Sequence, residues 1–106
     1  MEQIPIAESK RHIIEALIFA SDEPLAVRQI IDILGSPENP GPRFRVKEDD
    51  INGFVRELNA EYVLAKKSFR IIQVAGGFQF ATMPDFAEWL GRMVKEKAKR
   101  KLSPAT

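Results

Sequence analysis

The stretch VAGGFQFAT, Val74 to Thr82, decides how the chain is read. Two short apolar runs flank the pair Gly76-Gly77, and glycines readily take the positive φ angles of a type I′ or II′ turn. Phe69 to Ala75 and Phe78 to Thr82 are therefore predicted to form a β-hairpin. A two-residue loop at the glycines would pair Ala75 with Phe78, Gln73 with Phe80 and Ile71 with Thr82. One face of the ribbon then holds Phe69, Ile71, Phe78 and Phe80. The other carries Ile72, Val74 and Ala81, with Arg70 and Gln79 toward its margins. Both sides are substantially apolar, yet only one can pack on the domain's own helices. The remaining side needs a cover: a further helix, a neighbouring domain or another chain.

Working outward, three helical patterns precede the hairpin and one follows it. Ile14, Leu17 and Ile18, flanked by Ile13, Ala16 and Ala20, have the i, i+3, i+4 spacing of a buried helix face, predicting a helix from about Ala7 to Ala20. After Pro24, a second short helix from Ala26 to Leu34 stripes Val27, Ile30, Ile31 and Leu34, with Gly35 as its stop. Ser36 to Arg45 contains three prolines and a glycine and reads as a loop. Glu48, Asp49 and Asp50 suit the positive end of a third helix, striped by Ile51, Phe54, Val55, Leu58 and Tyr62 and ending near Ala65. Beyond the hairpin, Thr82-Met83-Pro84-Asp85 resembles a capping box with proline near the first helical position. Phe86, Trp89, Leu90 and Met93 then stripe a fourth helix, with a core-like spacing. Three helices, a two-stranded wing and a closing C-terminal helix make an α+β, mainly α domain of winged helix-turn-helix type.

With 106 residues the chain has room for one modest core. It has no cysteine, hence no disulfide framework or thiolate metal site, and its one histidine, His12, cannot supply a typical zinc centre. The longest apolar run, IIEALIFA, is short and interrupted by Glu15, so neither a membrane span nor a signal peptide is expected. These features fit a cytoplasmic protein.

No catalytic constellation emerges. Asp22-Glu23 and Glu48-Asp49-Asp50 sit where helix caps favour negative charge and offer too few converging oxygens for a magnesium or calcium site. His12 has no matched nucleophile and reads as a surface residue. Gly76-Gly77 lacks the context of a phosphate-binding loop. No catalytic residue, cofactor or metal is expected.

The charge distribution is uneven. Arg92 to Lys101 carries six basic residues against Glu96, leaving the remainder of the chain at net −4. Lys95, Lys97, Lys99, Arg100 and Lys101 are thus candidates for weak contact with nucleic acid, and a winged-helix DNA-binding regulator using this tail is the alternative reading. Against it, the third helix, which would enter the major groove, opens on three acids, and the wing from Ala75 to Thr82 has no cation for a phosphate. Clustered cations also simply suit the negative end of a helix.

IEALIFASDEPL (Ile14 to Leu25), VAGGFQFATMPDFAEWL (Val74 to Leu90) and the terminal KLSPAT together resemble the N-terminal half of the segregation and condensation protein B family. The resemblance implies a bacterial, cytoplasmic and nucleoid-associated accessory subunit that forms a homodimer and is not an enzyme. It further implies binding to a kleisin, segregation and condensation protein A, and through it to the ATPase heads of the structural maintenance of chromosomes (SMC) complex. DNA would be touched weakly or indirectly. On this reading residues 1–100 form one winged-helix domain, and 101–106 begin a linker toward a second that this chain lacks. The departures are the proline-rich loop and Ala26, where a serine or threonine cap is more usual. An apolar hairpin in a protein that binds proteins makes Ile72, Val74, Phe78, Phe80 and, on the first helix, Phe19 the candidate interface residues.

Overall fold

Ile14 and Ile18, one turn apart, are shielded almost completely from solvent and seat helix α1 (Lys10–Ala20) on helix α3 (Glu48–Leu64). The computed structural model describes residues 9–38 and 41–102, so the expected start of α1 at Ala7 lies outside the described residues. α3 answers with Ile51, Val55, Leu58 and Tyr62 of the predicted stripe, all buried, while its fifth member, Phe54, is half-buried against them. Helix α2 (Val27–Leu34) closes the cluster with Ile30 and Leu34.

The helix starts are capped from within. The side chain of Gln29 accepts the N–H of Ala26 at 2.9 Å, and Asp50 accepts that of Lys47 at 2.9 Å. A carboxylate or amide at the third helical position thus compensates for the missing serine or threonine. Thr82 to Asp85 behaves otherwise. Met83 is the N-cap without any side-chain hydrogen bond, and Pro84–Phe86 form a single 3-10 turn before helix α4 (Ala87–Leu102). The expected capping box is absent there; Pro84 alone presets the entry.

The proline-rich loop is fastened at its far end. The N–H of Phe44 donates to the carbonyl of Leu34 at 2.8 Å, and Val46 is buried.

The sheet has three strands in the order β1-β3-β2, with β1 at Leu25–Ala26, β2 at Phe69–Val74 and β3 at Gly77–Thr82, all antiparallel. The turn lies one residue earlier than the glycine pair indicated. Its two residues are Ala75 and Gly76, at φ 49° and 79°, the left-handed pair of a type I′ turn. Register shifts accordingly: Gln73 faces Phe78, Ile71 faces Phe80 and Phe69 faces Thr82. The shift is two residues, an even number, so every side chain keeps its predicted face.

Gly77 has a different task from turning the chain. A Cβ there would lie 2.8–2.9 Å from backbone atoms of Leu25, so only glycine lets β1 come this close. The short strand β1, unmarked in the sequence, pairs through that gap: Leu25 opposite Phe78, Ala26 opposite Gly77. The whole is a winged helix-turn-helix domain of mixed, mainly helical structure.

Candidate interaction surface

The hairpin resolves into an inner and an outer face. Ile71 and Phe78 are 4% and 5% exposed and belong to the core, so Phe78, named from sequence as an interface candidate, is covered by β1 and the helices and presents no surface. Phe69 and Phe80 are half-buried at the margin of that core. On the outer face Ile72 and Val74 are both exposed.

Phe19 projects from the last turn of α1 and is 77% exposed. Its ring meets Phe80 edge to face at 5.9 Å and 78°; Phe80 meets Phe69 at 5.6 Å, and Phe69 meets Tyr62 at 5.0 Å. This aromatic chain runs from solvent to core. Between α1 and β3 it lines a groove of about 450 Å³, bounded by Glu15, Ala16, Phe19, Phe69, Phe80 and the strand end Ala81-Thr82. At its polar end the Tyr62 hydroxyl donates to the carboxylate of Glu15. Burial, then that hydrogen bond and the charge of Glu15, push the phenol's pKa above its ordinary value.

The fourth helix corrects a second expectation. Its stripe has core-like spacing, but from Ala87 to Lys101 only Leu90 is even half-buried. Trp89 is 59% exposed and Val94 62%, with Met93 and Phe86 also in solvent. Arg92 stacks 4.3 Å over the Trp89 ring and pairs with Glu88 at 3.0 Å; Arg100 pairs with Glu96 at 3.5 Å. These i, i+4 pairs occupy the polar side. Lys95, Lys97, Lys99, Arg100 and Lys101 are all exposed on the same helix, which runs on through the first two residues of the expected linker, while 103–106 lie outside the described residues. Trp89, Met93 and Val94 are therefore surface residues that sequence reasoning assigned to a core or passed over. Their signal was present as a repeat: seven residues after Leu90, Met93 and Val94 come Lys97, Arg100 and Lys101, so one helix face is apolar and then basic.

Other candidates are placed plainly. Glu48, Asp49 and Asp50 are exposed at the start of α3, the end that would approach a major groove. His12 is half-buried, with a buried Nδ1 that has no hydrogen-bond partner, which corrects its reading as a surface residue. Among the described residues no three His, Cys, Asp or Glu side chains converge to hold a metal ion. No helix among them is long and apolar enough to cross a membrane.

Residues 12–106 match the family model of the segregation and condensation complex subunit ScpB. The chain belongs to this family. Segregation and condensation protein B of Syntrophotalea carbinolica is 31% identical over 88 residues, 83% of this chain and 40% of its own. A crystal structure of a conserved hypothetical protein from Chlorobium tepidum aligns with a TM-score of 0.68 at 30% identity, over 88% of this chain and 52% of that one. A crystal structure of a dimer of the ScpB N-terminal domain complexed with an ScpA peptide shares the fold, at TM-score 0.61 and 24% identity, over 97% of this chain and 98% of that one. The chain spans about half or less of the length of the curated relatives it matches. These ScpB relatives are named for segregation and condensation, not for a catalysed reaction.

Proposed function

We propose that this ScpB-family chain is a non-catalytic, cytoplasmic accessory subunit of a bacterial SMC–kleisin complex, acting through homodimerisation and through binding of segregation and condensation protein A. The observation that carries the reading is the amount of organised apolar surface the fold leaves uncovered: the Phe19–Phe80 groove, the outer hairpin face at Ile72 and Val74, and the stripe of α4. Patches of this kind on a small domain mark contacts with other proteins. A dimer of an ScpB N-terminal domain with the same fold is found complexed with an ScpA peptide, which fits the same role. Residues 1–100 act as one winged-helix domain of a longer partner-binding architecture.

A DNA-binding role is less well supported. The cations lie on α4, whereas the two elements that ordinarily contact DNA, the start of α3 and the wing, offer three exposed acids and no lysine or arginine between Ala75 and Thr82.

Sedimentation equilibrium of the chain at several concentrations, alone and with segregation and condensation protein A, tests the proposal. A dimer that takes up the kleisin supports it. A mass near 12.0 kDa at every concentration, with no kleisin complex, overturns it.

A further inference from the structure

We infer that the groove between α1 and β3 is the seat for α4 of a second copy, so that two chains exchange their C-terminal helices. The inference rests on the homodimer reading and specifies its contact.

An isolated helix of 16 residues is marginal in water, and its stability in a protein comes from packing an amphipathic face. α4 has such a face and packs almost none of it on its own domain. Its own groove lies close by, lined by Thr82 only a few residues before α4 starts, but the helix does not turn back into it.

Groove and helix match in chemistry along their length. The apolar half of the helix face, Leu90, Met93 and Val94, suits the aromatic walls made by Phe19, Phe69 and Phe80. The basic half, Lys97, Arg100 and Lys101, needs negative charge beyond those walls. α1 ends beside Phe19, where its carbonyls carry the negative end of the helix dipole, and the exposed acids Asp22 and Glu23 follow directly. Glu15 lies on the other side of Phe19 along α1, where the Tyr62 hydroxyl engages it, and takes no part in this match. A helix that is apolar and then basic thus meets a surface that is apolar and then acidic. Two-fold symmetry makes the contact twice, which doubles the area buried.

The chain has no cysteine, so disulfide trapping gives a clean test. Phe19→Cys protein, differently tagged, is mixed in turn with Leu90→Cys, Met93→Cys, Lys97→Cys and, from the opposite helix face, Lys95→Cys, and oxidised mildly. Phe19, Met93, Lys95 and Lys97 are exposed and Leu90 is half-buried outside the core cluster, and circular dichroism checks each fold. The expected result is an inter-chain link from position 19 to one or more of 90, 93 and 97, at least tenfold above that to 95. A Phe19→Cys/Met93→Cys double variant that links within one chain and sediments as a monomer overturns the exchange. So does a dimer that never links 19 to α4, including one in which an added kleisin peptide instead shields Cys at 19; in both cases the homodimer reading stands. Only a monomer at all concentrations removes the two together.

Discussion

Asn59 and Ile71 are joined by two hydrogen bonds of 2.9 Å: the Asn59 Nδ2 donates to the Ile71 carbonyl, and its Oδ1 accepts the Ile71 N–H. β2 is the outer strand of the sheet, so these backbone groups belong to an edge that another strand could pair with. The amide of one α3 side chain imitates that strand and closes the edge at its midpoint.

Asn59→Ala therefore leaves a backbone donor and acceptor without partners at a half-buried site. The expected loss is about 1–3 kcal/mol, read as a lower urea midpoint with unchanged slope. Asn59→Asp keeps the acceptor but loses the donor and adds a charge, so it also destabilises. Light scattering should show the alanine variant aggregating as its edge opens. An unshifted midpoint would mean that water replaces the side chain without cost.

The close approach at Gly77 and the left-handed turn residue Ala75 separate by substitution. Gly77→Ala drives a Cβ to 2.8 Å from the Leu25 backbone, which has no rotamer to escape into, so β1 must detach from β3. The expected cost is about 1–3 kcal/mol, with loss of hydrogen-exchange protection at Leu25 and Ala26. Ala75 is the reverse case: it sits at φ 49° with a Cβ, and Ala75→Gly should stabilise by about 1 kcal/mol. Thermal unfolding of both variants decides. Equal midpoints would show that the turn and the close approach carry no such strain.

These positions also show how far the sequence could be read. The alternation of Phe69 to Thr82 determined which side chains share a face, because face depends on parity and the misplaced turn moved the register by two. The turn itself was ambiguous: Ala75-Gly76-Gly77 offers two adjacent two-residue loops, and the choice is made by Leu25, far earlier in the chain, which needs Gly77 in the strand. A two-residue strand such as β1 leaves no periodic mark at all. The helices of the core were legible because their stripes meet one another. The stripe of α4 was equally clear, but spacing says only that a helix has an apolar face and not which chain covers it. Phe78 failed as an interface candidate for the converse reason, since the inner face could not be told from the outer without the helices in place.

Tyr62 is the only tyrosine, so its ionisation can be followed by phenolate absorbance. Burial raises its pKa in the folded chain, with the Glu15 hydrogen bond and charge adding to it. An unfolded tyrosine ionises near pH 10, so above that pH the unfolded state binds fewer protons and stability falls as pH rises. Below it the contribution is complete. Tyr62→Phe should flatten the alkaline decline while costing about 1 kcal/mol at neutral pH, and Glu15→Gln should move the phenol back toward its ordinary value. Titration of the wild-type phenol at its ordinary pKa would contradict the buried geometry.

Trp89, the chain's only tryptophan, reports on the α4 surface directly. Its ring is more than half exposed, with Arg92 stacked on one side, so a dilute monomer should emit like a solvated indole. As concentration rises into the range where sedimentation shows a dimer, the emission should shift to the blue, because the face bearing Trp89, Leu90 and Met93 loses water. Met93→Glu places a charge in that face and should abolish both the shift and the dimer while leaving the monomer's stability within about 0.5 kcal/mol, as expected of a surface change. Val74→Glu, on the outer face of the hairpin, should leave the shift intact. Emission that stays constant while the mass doubles would place the contact away from α4, and loss of the dimer in Val74→Glu would place it on the hairpin.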